Sequence, residues 1–282
     1  MDIFTIELTT RIIQMTIIEL FGRVVKPKLI KGKGMFSPIE TGRVNENILC
    51  IRDKDVNMFF YIKEECIFAI DCGYKNSNNI EAGIKTLGIK GSDVKAIFLT
   101  HVDLDHAGGV DKRCINLFPN AKVFLSCEEE KYILNKYSRK KLIFYNLKTP
   151  IKLRDEYETL KNMQIIDMGK AKIQAIFTPG HTLGHTSYMV DNKYLFVGDS
   201  IILNSSGGYC FYDFWNIDSE LNIQSLRNLK VIAEEKKCKL ILTSHSKYTD
   251  DLSLAFANID TKPSWKPKGY KFIDNAPDDL FS

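Results

Sequence analysis

His101, Asp103, Asp105 and His106 fall within six residues, in the stretch Thr100-His101-Val102-Asp103-Leu104-Asp105-His106-Ala107-Gly108-Gly109. Burying two imidazoles and two carboxylates without partners would cost several kcal/mol. A divalent cation is the partner that accepts both groups, since neutral imidazole and carboxylate oxygen are both common donors to such ions. The apolar run Ala96-Ile97-Phe98-Leu99 just before the cluster reads as a buried strand. A strand ending in His and Asp sets its donors on the lip of a sheet, held rigidly and reachable from solvent.

The remaining chemistry-bearing residues repeat this pattern. The chain has five His. Two more, His181 and His185, lie in Thr178-Pro179-Gly180-His181-Thr182-Leu183-Gly184-His185-Thr186, and His245 follows the apolar run Leu240-Ile241-Leu242-Thr243. Asp199 closes Leu195-Phe196-Val197-Gly198-Asp199, and Asp71 closes Phe68-Ala69-Ile70-Asp71. Each is an apolar strand followed by a turn with His or Asp, and convergent strand ends are where sites form on layered scaffolds.

In this series the chain resembles the metallo-β-lactamase superfamily. The family's His-x-His-x-Asp-His signature appears as His101-x-Asp103-x-Asp105-His106, followed in order by a Gly-His-Thr turn at His181, a Gly-Asp turn at Asp199 and a strand-end His245. The likeness runs over roughly residues 45 to 250. It implies an α/β fold, an αββα four-layer sandwich of two mixed sheets with outer helices; periodicity by itself supports mixed α/β. It also implies two divalent metal ions, zinc first, with iron or manganese as alternatives. His101, Asp103 and His181 would hold one ion. Asp105, His106 and His245 would hold the other, and Asp199 would bridge them. A hydroxide shared by the ions would attack an ester, lactone, thioester or phosphodiester, and Asp105 would orient the water or relay its proton. His185 reads as a hydrogen-bonding residue of its turn and Asp71 as a partner that orients an imidazole.

Asp103 departs from the pattern, standing where most members have His. A carboxylate there is similar to the flavodiiron branch, and a harder donor set favours iron or manganese. A di-iron redox enzyme is therefore the alternative function. Fewer than about forty residues follow His245, too few for a flavin domain of the usual size.

Bulk properties narrow the remaining classes. Hydrophobic residues make up 44% of the 282, enough for a sizeable core, and the net charge is +4. The charge is spread along the chain, so no nucleic-acid partner is expected. Ser138-Arg139-Lys140-Lys141 reads as a solvated face. The seven Cys form no Cys-x-x-Cys pair, which fits reduced thiols; Cys72 and Cys114 read as small apolar residues. The N-terminus lacks a basic region and cleavage site, and no run is long enough to span a bilayer. A cytoplasmic protein acting on a small molecule, with no membrane partner, is expected; oligomeric state is open. The domain reading is one domain over residues 1–282, with residues 1–40 as an extension of open role and 250–282 as a C-terminal helix and tail.

Coarse periodicity predicts strands at Asn47–Ile51, Met58–Ile62, Cys66–Ile70 and Val123–Ser126, and four more between 163 and 198. Helices are expected at Ile80–Leu87, Cys127–Asn135, Ser219–Glu235 and between 251 and 258, with a helix or strand at Ile12–Val25. Gly207-Gly208-Tyr209-Cys210-Phe211-Tyr212-Asp213-Phe214-Trp215 is an aromatic loop with no Lys or Arg. Pocket lining and ordinary packing are equal readings of it.

Overall fold

The computed structural model describes residues 20, 36–142, 145–154 and 156–261. The Ile12–Val25 expectation falls outside them apart from Leu20. Strands run in the order β1 (Gly42–Arg43), β2 (Ile48–Asp53), β3 (Val56–Lys63), β4 (Cys66–Ile70), β5 (Ala96–Phe98), β6 (Lys122–Ser126), β7 (Lys140–Leu142), β8 (Tyr145–Leu147) and β9 (Tyr157–Leu160). The second half holds β10 (Ile165–Asp167), β11 (Lys172–Phe177), β12 (Thr186–Val190), β13 (Tyr194–Phe196), β14 (Ile201–Asn204), β15 (Gly207–Cys210), β16 (Leu240–Leu242) and β17 (Tyr248–Thr249). Helices are α1 (Asn78–Leu87), α2 (Glu130–Ile133), α3 (Ser219–Glu235) and α4 (Leu252–Ala255).

Two mixed sheets carry the site. The first has the order β1-β2-β3-β4-β5-β6-β9, antiparallel as far as β4 and parallel beyond it. The second has the order β10-β11-β12-β13-β16-β17, with one parallel pair, β13 with β16. Two of the parallel joins follow helical crossovers: α1 links β4 to β5, and α3 lies between β13 and β16 in sequence.

Alternation along the strands builds the layers. On β2, Ile48 and Cys50 face the second sheet, while Leu49 and Ile51 face the opposite layer that includes Ile80 of α1. Between the sheets, Phe98 lies 5.5 Å from Tyr188 and Phe59 lies 5.5 Å from Phe196, ring centre to ring centre. On the outer face of the second sheet, Ile176, Met189, Leu195 and Ile241 meet Ile223, Leu226 and Leu229 of α3. Each such buried side chain contributes about 1.5–3 kcal/mol. Strands buried on both faces lose their polar alternation, which is why they read as continuous apolar runs. The observed layering is the expected αββα sandwich. No helix among the described residues is long and apolar enough to cross a membrane.

Helix α3 spans the expected residues, capped by Asp218, whose carboxylate accepts from Leu221 N at 2.9 Å. Two other helices are shorter than expected. The expected Cys127–Asn135 helix is reduced to Glu130–Ile133; Asn135 adopts a left-handed φ of 59°, which the helix cannot continue through. The expected helix between 251 and 258 stops at Ala255, since Asn258 N donates to Gly208 O and pairs there with β15.

One side chain ties the sheets together beside the future site. Asn57 on β3 donates from Nδ2 to Thr243 O at 2.9 Å and Ser246 O at 2.8 Å, and its Oδ1 accepts from Ile39 N. Asn57→Ala would leave these buried groups without partners. It is expected to cost about 2–4 kcal/mol, read as a lower urea midpoint at unchanged slope; a shift below about 0.5 kcal/mol would show that the joint is not structural.

Candidate metal centre

The strand ends converge where the two sheets meet. β5 leads into Thr100–His106, β11 into the His181 turn, β13 into Gly198-Asp199, and β16 into His245. Gly198 adopts a φ of +55°, and a Cβ there would lie 2.5 Å from His185 Nε2. Only glycine lets this turn close, and the closed turn brings Asp199 N within 3.0 Å of His185 Nε2.

Four imidazoles are anchored in the same way. His106 Nδ1 meets Asp71 Oδ2 at 2.8 Å, His101 Nδ1 meets Thr100 Oγ1 at 2.9 Å, His181 Nδ1 meets Asn216 Oδ1 at 3.2 Å, and His245 Nδ1 meets Asp55 O at 2.6 Å. Each partner offers a lone pair. Thr100 Oγ1 does so because its own proton goes to the Asp71 carboxylate, at 2.9 and 3.0 Å. Each Nδ1 therefore carries the proton and each Nε2 turns a lone pair inward, as a metal donor must. His185 differs: Nδ1 is bound to Thr178 Oγ1 at 2.8 Å and Nε2 accepts from Asp199 N, so no lone pair remains.

All seven candidate donors are brought together, in adjoining groups. His101, Asp103 and His181 form one, and Asp105, His106 and His245 another; His101, His106 and Asp199 also cluster. In the second group the contacts run from 3.3 Å (His245 Nε2 to Asp105 Oδ2) to 3.8 Å (His106 Nε2 to Asp105 Oδ2), with His106 and His245 Nε2 at 3.4 Å. Asp199 completes it, 3.3 Å from His106 Nε2 and 3.2 Å from His245 Nε2. Donors about 2.0–2.2 Å from one ion in a tetrahedron stand roughly 3.3–3.6 Å apart, so this group fits a divalent ion. Two buried atoms of the His101, His106 and Asp199 cluster, His101 Nε2 and Asp199 Oδ1, lack any hydrogen-bond partner among the described residues, as donors that await a cation would.

The electrostatics favour a neutral His181 and an ionised Asp199 in a cluster that draws positive charge onto His106. Burial, with the nearby Arg139 charge, lowers His181 to about 3. Burial would raise the Asp199 carboxyl, but His245 and His106 outweigh it and hold it well below its usual range. Burial likewise opposes the charged form of His106, yet Asp199, Asp71 and Asp105 push it well above its usual value. A cation at this place would relieve that demand for positive charge.

Arg139 is the residue that the sequence reading missed. Its basic neighbours predict a solvated face. Instead its guanidinium enters the cluster and takes both oxygens of Asp103, Nε to Oδ1 at 2.7 Å and Nη2 to Oδ2 at 2.8 Å. It also reaches His181 Nε2 at 2.9 Å, His181 O at 2.9 Å and Trp215 O at 3.0 Å. The Lys-rich surroundings hid it. The available signal was Asp103 itself, an added carboxylate in a buried cluster that calls for a cation.

The aromatic loop lies at the site by packing. Phe211 sets its ring edge-on to His181 at 5.0 Å, and Phe36 stacks on His245 at 4.2 Å. Both are buried and hold imidazoles in place. Glu129, also buried, accepts from Val102 N at 2.8 Å and Thr182 Oγ1 at 2.7 Å, joining the two donor-bearing turns; no spacing rule marks it. Cys72 is fully buried with its thiol on His106 O, in keeping with a small packing residue.

Comparison with known proteins agrees with this geometry. The family model of the metallo-beta-lactamase superfamily matches residues 51–245. The chain belongs to that superfamily. It is similar to a hydroxyacylglutathione hydrolase of Buchnera aphidicola subsp. Baizongia pistaciae, 30% identical over 68% of this chain and 62% of the relative. A hydroxyacylglutathione hydrolase of Buchnera aphidicola subsp. Schizaphis graminum is 32% identical over 51% of this chain and 48% of the relative. An N-acyl homoserine lactonase of Bacillus cereus is 27% identical over 55% and 57%. The chain thus spans about half to three fifths of the length of these relatives. The fold is also that of a subclass B3 metallo-beta-lactamase from a soil metagenome, with a TM-score of 0.56 at 20% identity over 74% of this chain and 80% of that one. A metallo-beta-lactamase family protein from Thermus thermophilus gives 0.57 at 17% identity, over 76% and 78%.

Asp71 is the common acceptor behind two of the imidazoles. Asp71→Ala is expected to weaken divalent-metal binding about 10–100-fold, measured by competition with a chelating dye. Unchanged affinity would show that His106 is oriented by other contacts.

Proposed function

We propose that this protein is a metal-dependent hydrolase of an activated acyl bond, a thioester or a lactone, working with zinc. The observation that carries the reading is the set of four imidazoles, each fixed through Nδ1 and aiming Nε2 at carboxylates in one buried cluster. Such anchoring serves no packing purpose, and it is the arrangement that ligation requires. Seven residues are assigned to the centre: Asp105, His106, His245 and Asp199 at tetrahedral spacing, with His101, Asp103 and His181 in the adjoining group that Arg139 enters. Imidazole and carboxylate donors at tetrahedral spacing favour zinc. A divalent ion bound here supplies Lewis acidity and a water acidic enough to ionise near neutral pH.

The chain's own residues do the rest. Asp105 orients the water and receives its proton. Water oxygen bonds to the acyl carbon, the bond to sulfur or ring oxygen breaks, and the proton passes to the leaving group. His181 stays neutral and Asp199 ionised, so neither competes for that proton. Phe36 and Phe211 keep the imidazoles from turning away.

The substrate class is supported by the named activities of the relatives, hydroxyacylglutathione hydrolases and N-acyl homoserine lactonases. The Gly207–Trp215 loop carries no Lys or Arg of its own to clamp a phosphate, which supports an acyl bond over a phosphodiester. The di-iron alternative rested on Asp103 as an extra hard donor, and Asp103 has both oxygens on Arg139.

The test is metal removal and reconstitution. Chelated protein should lose hydrolysis of a hydroxyacylglutathione thioester or an N-acyl homoserine lactone by more than about 100-fold and regain it with zinc, in line with the role of such an ion. Hydrolysis of a chromogenic phosphodiester in preference to both, or activity that survives chelation, would overturn the proposal.

A further inference from the structure

The two donor groups are not equivalent, because the first is crossed by Arg139. His181 Nδ1 faces the acceptor Asn216 Oδ1, so its Nε2 presents a lone pair; of the two Arg139 Nη2 protons one completes the fork on Asp103 and the other is shared between His181 Nε2 at 2.9 Å and Trp215 O at 3.0 Å. One lone pair cannot serve an N–H donor and a metal ion together. Asp103 is in the same position, with each oxygen on one arm of the guanidinium fork.

The seat of this guanidinium is completed by backbone atoms. The carbonyl oxygens of His181 and Trp215 hold it at 2.9 and 3.0 Å, and its side chain is 15% exposed. Neither carbonyl oxygen is itself a candidate donor atom, although His181 lends its ring to the first group. Guanidinium geometry matches a carboxylate and two carbonyls, whereas an ammonium or a bare ion would not span them.

We propose that Arg139 is the resident cation of the first donor group, so that the centre works with one divalent ion, at Asp105, His106, His245 and Asp199, beside a fixed guanidinium. This rests on reading the cluster as a metal centre. Asp103 is then the receiver of Arg139 rather than a donor to a second ion. The carboxylate where the family pattern has His and the arginine missed in the sequence become two halves of one device.

The experiment is metal stoichiometry, independent of turnover. Metal-free wild type, Arg139→Gln and His245→Ala are loaded with excess zinc, desalted and measured by elemental analysis. The expected result is about one ion per chain in the wild type, about two in Arg139→Gln, and loss of the tightly held ion in His245→Ala, since ligand removal abolishes a site. Two retained ions in the wild type, or one in both wild type and Arg139→Gln, overturn the inference and leave the metal-centre reading standing. No retained ion in any of them overturns that reading itself. If Arg139→Gln does not fold, cobalt titration of the wild type decides: its absorption should saturate at about one equivalent, and saturation at two overturns the proposal.

Discussion

Every lone pair and proton in a closed polar cluster must be accounted for, and the architecture of this protein follows from that demand. Four imidazoles and several carboxylates are removed from water at one end of a sandwich whose interior is aromatic and aliphatic. Such groups are tolerable only when each is paired. The outer acceptors, Asp71, Thr100, Asn216 and the Asp55 carbonyl, fix the imidazole protons on the protein side. What is left over points inward as one body of electron pairs. The strands, the left-handed turn at Gly198 and the aromatic packing at Phe36 and Phe211 all serve to hold that arrangement closed.

Much of the candidate site was legible because its signals are short-range. Four donors within six residues, each at the end of an apolar run, announce themselves without any tertiary knowledge. The same holds for strands buried on both faces and for α3, whose apolar spacing and Asp218 cap mark both its face and its start. The αββα arrangement itself came from the family likeness, since periodicity distinguishes only mixed α/β.

The misses all involve long-range partners. Arg139 lies in a basic stretch and reaches Asp103 and Trp215 across the fold, so its local context gave the wrong environment. Asn57 and Glu129 bind backbone atoms of distant turns, a role with no sequence signature. The two shortened helices failed for a related reason. Asn135 turns left-handed, and Asn258 is drawn into pairing with β15, where tertiary contacts override propensity.

The provenance of the donors has a mechanical consequence. His101, Asp105 and His106 issue from the first sheet, while His181, Asp199 and His245 issue from the second. Under the proposed assignment, an ion shared between Asp105, His106, Asp199 and His245 would be a clasp across the seam of the sandwich, parallel to the Asn57 joint. Its binding energy is added to the cohesion of the two halves by mass action, at about 2.7 kcal/mol when the free ion is at one hundred times its dissociation constant. On that assignment metal supply and fold integrity would be a single thermodynamic variable, and starvation for the ion would loosen the sandwich from the end at which it works.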